Sequence, residues 1–318
     1  MTDPTAVKIQ NLHKSFFNGW GRRSAVIKNL NLEILDNEIF GYLGANGAGK
    51  TTTFKLMLGL IFPDKGEIFF KGKPASDYRN RSLLGYLPEN PYFYTYLTAG
   101  ESLDFYASLF DMKRSEKTRR VGEMLELVGL DHAEDLQLRK FSRGMLQRLG
   151  IAQALINDPK LLILDEPMSG LDPMGRKDMR DIILRCRDQG KTVIFSSHII
   201  SDVEMICDRA GILSKGELQQ IIEMDKRLDN NDSIWEIVCQ GKPLNLSTDL
   251  STAGEFSGVK HQVAGNRNIL STDNKAFALR MMDEIKHQGF DLISFGSRRK
   301  SIEEIYLKSV GTKGKNHG

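Results

Sequence analysis

The segment Gly44-Ala45-Asn46-Gly47-Ala48-Gly49-Lys50-Thr51 constrains this 318-residue chain more than any other. It fits the pattern G-x-x-x-x-G-K-[ST], follows the apolar run 39–43, and opens a segment patterned as a helix. A strand, a glycine-rich turn and a helix in that order make a cradle for phosphate. The glycines let the backbone wrap closely, while successive N–H groups and the helix N-terminus supply positive potential. In such a cradle Lys50 reaches the β- and γ-phosphates and Thr51 ligates Mg2+. A glycine-rich turn opening an ordinary helix is the weaker account, because the preceding strand and the spacing are those the phosphate loop requires.

Short β-rich runs alternate with helical patterns through the first 225 residues, the signature of an α/β fold with a mixed or parallel sheet. Strands are expected at 7–12, 39–43 and 66–71, a helix from Lys50 to about Gly59, and a break at Gly72-Lys73-Pro74. From 98 to 154 the pattern turns helical: Leu103, Tyr106 and Leu109–Phe110 recur at helical spacing, as do Val121, Met124–Leu125 and Val128. This predicts a helical subdomain, about 90–155, inserted between strands. The wholly apolar runs 161–164 and 193–195 read as central strands buried on both faces, with a helix over 177–187 ending near Gly190. After about Asp225 come a polar run at 229–232, a strand-like 234–238, a Gly/Ser/Thr-rich stretch, and a helix whose Phe277, Met281 and Ile285 share a face. The expected division is a large domain, 1–225, and a small accessory α/β domain, 226–318, with a frayed basic tail from Lys313 to Gly318.

Composition narrows the function classes. Lys+Arg 44 against Asp+Glu 41 leaves +3, too little for a broad basic field, so nucleic acid is not an expected partner. Cys186, Cys207 and Cys239 stand far apart without CxxC spacing, which indicates neither a disulfide framework nor a zinc site and fits a reducing cytoplasm. The first ten residues lack the order of a signal peptide, and no run of about 18 apolar residues could span a membrane. Any membrane role must come through a partner.

Leu161-Leu162-Ile163-Leu164-Asp165-Glu166 places two carboxylates at the end of a buried strand. Alone this is often just a strand end; after a phosphate loop, Asp165 suits a Mg2+ contact and Glu166 suits a base for the attacking water. With Phe141-Ser142-Arg143-Gly144-Met145-Leu146-Gln147-Arg148 shortly before that strand, the chain resembles the ATP-binding subunit of ABC transporters over about residues 5–220. This segment is similar to the family's signature, keeping Ser and the second Gly of Leu-Ser-Gly-Gly-Gln but carrying Phe, Arg and Met elsewhere. Ser169-Gly170-Leu171-Asp172 resembles the D-loop, and His198 stands where the switch histidine does. Gly85-Tyr86-Leu87-Pro88-Glu89-Asn90 resembles the Q-loop with Glu89 in place of Gln, a carboxylate that can also bind Mg2+. Leu12-His13-Lys14-Ser15-Phe16 looks like the segment whose aromatic stacks on adenine, with Phe17 as the rival ring.

The resemblance implies a P-loop NTPase fold and an ATPase that uses ATP and Mg2+. It implies catalytic roles for Glu166, His198 and Lys50; nucleotide contacts at Phe16, Gly44, Asn46, Gly47, Gly49, Lys50, Thr51, Thr52, Glu89, Ser142, Gly144 and Asp172; and metal contacts at Thr51, Asp165 and Glu89. It further implies a separate integral-membrane permease, a second ATPase subunit, homologous or identical, that closes head-to-tail over two ATP molecules, and a place on the cytoplasmic face of the membrane. The Glu89 and Ser-Arg-Gly-Met variants and the tail domain together look like the ATPase subunits of bacterial ABC-2-type exporters. The alternative is a soluble nucleotide switch of the same fold acting on ribosomes or nucleic acid; those relatives usually carry two cassettes or long coiled-coil insertions, and this chain has neither. Tyr92, Phe93, Tyr94 and Tyr96 after the Q-loop suit an interface with the permease or packing within the helical subdomain. The clusters Arg298-Arg299-Lys300 and Lys313/Lys315 could touch acidic lipid or be a solvated face.

Overall fold

Alternation of apolar and polar residues builds the N-terminal sheet. In β1 (Thr5–Phe17) Val7, Ile9 and Leu12 turn inward, and in β2 (Arg23–Leu35) Leu30, Leu32 and Ile34 do so with polar residues between them. The computed structural model describes residues 5–17, 21–224, 233–242, 244, 259–299 and 302–305. The polar run 229–232, Lys300 and the tail from Lys313 to Gly318 lie outside the described residues, and so does most of the Gly/Ser/Thr-rich stretch. Contacts divide the chain into one unit through Met224 and a second within 225–308.

In the first unit β3 (Ile39–Leu43) leads through the phosphate loop into α1 (Lys50–Met57), and β4 (Lys65–Phe70) and β5 (Lys73–Pro74) return to the first sheet, ordered β2-β1-β4-β5. Gly72-Lys73-Pro74, expected to interrupt structure, thus turns the chain into a two-residue strand paired with Phe69 and Phe70. Helix α1 presses Phe54, Leu56 and Met57 into a core shared with Phe40 and Tyr42. Burial of one such side chain contributes roughly 2–3 kcal/mol.

The second sheet adds β6 (Leu84–Leu87), β7 (Leu161–Leu164), β8 (Thr192–Ser197), β9 (Arg209–Ser214) and β10 (Glu217–Glu223) in the order β10-β9-β3-β8-β7-β6. All pairs are parallel except β9 with β10. The apolar runs of β7 and β8 are interior strands, as their sequence predicts. Between β6 and β7 lie α2 (Ala99–Ala107), α3 (Arg114–Leu127) and α4 (Arg143–Leu155). A capping box joins Thr98 and Glu101 at the start of α2, and the Arg120 guanidinium donates to the Leu155 and Ile156 carbonyls at the end of α4. Helix α5 (Pro173–Asp188) starts four residues before the expected 177, because Asp172 caps it and Pro173 fits its first turn. A short α6 (Ile200–Ile206) joins β8 to β9.

Among the described residues the second unit is an antiparallel sheet ordered β12-β13-β11-β14, with a helix between its last two strands in sequence and a helical turn at 302–305. Its elements are β11 (Ser233–Gln240), β12 (Lys260–Ala264), β13 (Arg267–Thr272), α7 (Lys275–His287) and β14 (Asp291–Arg299). Phe277, Met281 and Ile285 of α7 do share a face, and they pack with Ile237, Cys239 and Leu270. The buried Asn268 is bonded at both ends of its amide: the oxygen accepts from Leu244 N–H and His261 Nε2, and the nitrogen donates to the Lys242 carbonyl.

Candidate nucleotide site

Parallel pairing brings four chain-distant segments to one sheet edge. Leu43 pairs with Ser197, Leu164 with Phe195, and Leu87 with Leu164. The residues that leave these strands at their C-terminal ends are therefore the phosphate loop, Glu89, Asp165–Glu166 and His198, at the edge where open α/β sheets place ligands. All of these segments except Asp165 contribute to a cavity of about 540 Å³ lined by Val26, Ala45, Asn46, Gly47, Gly49, Lys50, Thr51, Thr52, Glu89, Glu166, Ser169 and His198.

Local rules shape the loop. Gly49 holds φ +112° at the cap of α1, where a side chain would be strained, and a Cβ on Gly44 would lie 2.7 Å from the Leu213 carbonyl oxygen. Lys50 is 6% exposed and folds back over the loop, donating to the Gly44 carbonyl at 2.6 Å and the Ala45 carbonyl at 3.4 Å. Its Nζ also stands 3.1 Å from Glu166 Oε1. That oxygen accepts no hydrogen bond, so the contact is an ion pair without hydrogen-bond alignment.

Glu166 is 9% exposed and adopts φ +48°, an uncommon backbone for a residue with a side chain. Its Oε2 lies 2.9 Å from His198 Nδ1, so ammonium and imidazole bracket the two oxygens of one carboxylate. Asp165 is buried behind the cavity wall: its N–H donates to the Leu87 carbonyl and its Oδ1 accepts from the Ser196 hydroxyl at 2.7 Å. Burial, with the charge of Asp165 added, pushes the Tyr86 hydroxyl up to about 12, so this phenol stays protonated near neutrality.

The remaining sequence candidates lie elsewhere. Phe16 and Phe17 are both exposed on β1, under Lys14 and Arg23 respectively, and neither lines the cavity. Ser142 caps α4, its hydroxyl accepting from the Met145 N–H at 3.2 Å, and Asp172 caps α5, accepting from the Gly175 N–H at 2.7 Å. Neither they nor Gly144 share the cavity with Lys50. The D-loop and signature do meet each other: a Cβ on Gly170 would lie 2.6 Å from the Arg143 guanidinium carbon. Residues the sequence reading passed over are Val26, on the long β2; Gln147, whose buried amide donates to the Glu89 carbonyl at 3.2 Å; and Ser196. The only trace of Ser196 in the sequence is that the apolar run of β8 ends in two hydroxyl residues before His198.

The donor set fits Mg2+. Among the described residues no three His, Cys, Asp or Glu side chains form a ready-made metal cage. Magnesium does not need one, since it keeps several waters and takes one or two carboxylates together with substrate phosphates. Thr51 and Glu89 at the cavity and Asp165 behind it supply hard oxygen donors of that kind.

A family model described as ABC transporter matches residues 27–169. An uncharacterised ABC transporter ATP-binding protein of Synechocystis sp. is 42% identical, over 91% of this chain and 79% of the relative. The bacitracin transport ATP-binding protein BcrA of Bacillus licheniformis is 34% identical, over 96% of this chain and 98% of the relative. Among solved structures, an ATP-binding cassette in a dimeric post-hydrolysis state bound to ADP and Pi superposes with a TM-score of 0.63 at 25% identity, covering 69% of this chain and 98% of that one.

Proposed function

The chain belongs to the ABC transporter family as an ATP-binding subunit, and from that premise we propose that it hydrolyses ATP to ADP and phosphate to drive export through a separate membrane permease. One observation carries the reading: Lys50, Glu166 and His198 converge in a single cavity with the phosphate loop. Phosphate oxygens entering that loop would compete with Glu166 Oε1 and the loop carbonyls for the Lys50 ammonium. Once released, Glu166 orients the attacking water as its base, held from the other side by His198, which contacts the γ-phosphate. Thr51, Asp165 and Glu89 would hold Mg2+, and bound Mg2+ supplies charge neutralisation at the β- and γ-oxygens.

The chain carries both a phosphate loop and a signature segment, yet keeps the second out of the cavity. Two copies joined head-to-tail would complete two sites, with Ser142, Gly144 and Asp172 of one closing over the nucleotide of the other. The dimeric cassette with ADP and Pi supports that arrangement by likeness of fold. Export as the direction rests on the form of the signature, on Glu89, and on the likeness to a bacitracin transport subunit. Residues 1–225 would form the ATPase domain and 226–318 an accessory domain.

Among the described residues no helix is long and apolar enough to cross a membrane, so attachment to the cytoplasmic face would be through the permease. The aromatic segment offers a surface for it. Phe93 is buried against Tyr106, whereas Tyr92, Tyr94 and Tyr96 are exposed and Tyr94 meets Phe105 edge-on. Extraction of native membranes in mild detergent, followed by mass spectrometry, tests the reading. Recovery of this chain with a polytopic protein is expected; recovery only in the soluble fraction, alone or with ribosomes, would replace the reading with the soluble switch.

A further inference from the structure

We propose that Ser196 is a positioning residue for the Asp165–Glu166 pair, aiming the metal carboxylate and holding the backbone of the base. This rests on the roles given above to Asp165 and Glu166.

Ser196 lies in β8 at 0% exposure, so it can touch neither nucleotide nor bulk water. The three residues before it, Val193, Ile194 and Phe195, are apolar, as an interior parallel strand prefers. A hydroxyl at that depth costs free energy unless its bonds are made. Both are made to the same two residues: its hydrogen goes to Asp165 Oδ1 at 2.7 Å, and its oxygen accepts the Glu166 N–H at 2.8 Å.

Each bond has a consequence at the cavity. With Oδ1 engaged, the Asp165 carboxylate is fixed in rotation and presents its other oxygen. Asp165 N–H is tied to Leu87 on β6 while Glu166 N–H is tied to Ser196 on β8, so neighbouring strands clamp the dipeptide from both sides. Glu166 needs such a clamp, because φ +48° is a conformation a non-glycine residue leaves unless its surroundings hold it. Its carboxylate then stays between Lys50 and His198. Polar groups behind metal ligands orient them in this way, and their loss typically weakens metal binding or activity about 10- to 100-fold.

The test compares Ser196→Ala, Ser196→Thr and Asp165→Asn with the parent chain. It measures metal-free ADP affinity, Mn2+ affinity of the ADP complex by electron paramagnetic resonance, and ATP turnover. Ser196→Ala should keep metal-free ADP affinity within about twofold, which reports an intact fold and phosphate loop, while Mn2+ affinity and turnover each fall roughly tenfold or more. Ser196→Thr, which restores the hydroxyl, should recover both. Parent-like Mn2+ affinity in Ser196→Ala overturns the proposal, as does a Thr variant with normal metal-free ADP affinity that is as impaired as the Ala variant. Parent-like Mn2+ affinity in Asp165→Asn instead removes Asp165 as a metal ligand, and the proposal falls with that reading.

Discussion

The phosphate-loop edge and the signature segment differ in how finished they are. At the edge, parallel strands carry Lys50, Glu166 and His198 into one cavity, and the Glu166 carboxylate already contacts both the Lys50 ammonium and the His198 ring. At the signature, Ser142 and Gly144 sit at the N-terminus of α4 outside that cavity, and the Ser142 hydroxyl serves only as a helix cap. The first has its groups gathered in one place; among the described residues the second does not reach that cavity. On the proposed function these are two unlike halves of a site, and catalysis would require a second copy.

The largest effect should come from the finished half. Glu166→Gln keeps the shape of the side chain but removes the base, and turnover should fall on the order of 1,000-fold while ATP still binds. Equilibrium binding of labelled nucleotide beside a phosphate-release assay checks this; unchanged hydrolysis would remove Glu166 from its role.

Ser142→Asp sharpens the contrast, because Asp caps a helix as well as Ser does but places a negative charge against phosphate. Melting temperature and nucleotide affinity of the isolated chain should hold, and turnover should drop roughly 100- to 1,000-fold, a loss of the size seen when an oxyanion-type contact is removed. Loss of nucleotide affinity in the dilute chain would show that the signature already serves its own cavity.

Tyr94→Ala probes a surface belonging to neither half. Association with the permease should weaken about tenfold with nucleotide affinity unchanged, as expected for one aromatic anchor. Equal association in a pull-down from detergent would reassign the ring to packing within the helical region.

The smallest effect is expected at the opposite end of the same strands. There the Lys191 ammonium donates to Asp158 at 2.6 Å, just ahead of β8 and β7, and this bond holds the Asp158 carboxyl below the usual carboxylate range. A carboxyl lowered by folding stabilises above its unfolded pKa and loses that contribution as pH falls through the folded value. Asp158→Asn should cost under about 1 kcal/mol at neutral pH because the carboxylate is largely exposed, and the difference from the parent should vanish in acid. Turnover should not change; a turnover defect here would mean that the two ends of the sheet are not independent.

Much of the finished half was legible in the sequence because each of its segments is short and local. The phosphate loop, the apolar strand ending in Asp165–Glu166, and His198 each carry their own pattern, and the order of the strands does the rest. β2 escaped the reading because Asn29 takes φ +49° and register shifts against β1 break its alternation. Ser196 and Gln147 escaped for another reason. Their roles lie in bonds to residues 31 and 58 positions away, and no local pattern records such a bond. The cap made by Ser142 is one the sequence allows beside its phosphate contact, since both ask for the same side chain at the same helix N-terminus, whereas the cap made by Asp172 was hidden behind the nucleotide role the resemblance gives it.

The division of labour between two copies can be measured directly by mixing. Glu166→Gln and Ser142→Asp chains should each be nearly inactive alone. In an equal mixture half of the dimers combine one of each, and each such dimer holds one site with both defects and one with none, so roughly a quarter of parental turnover should return if the sites act independently. A mixture as inactive as its components would contradict the claim that the signature of one copy completes the cavity of another.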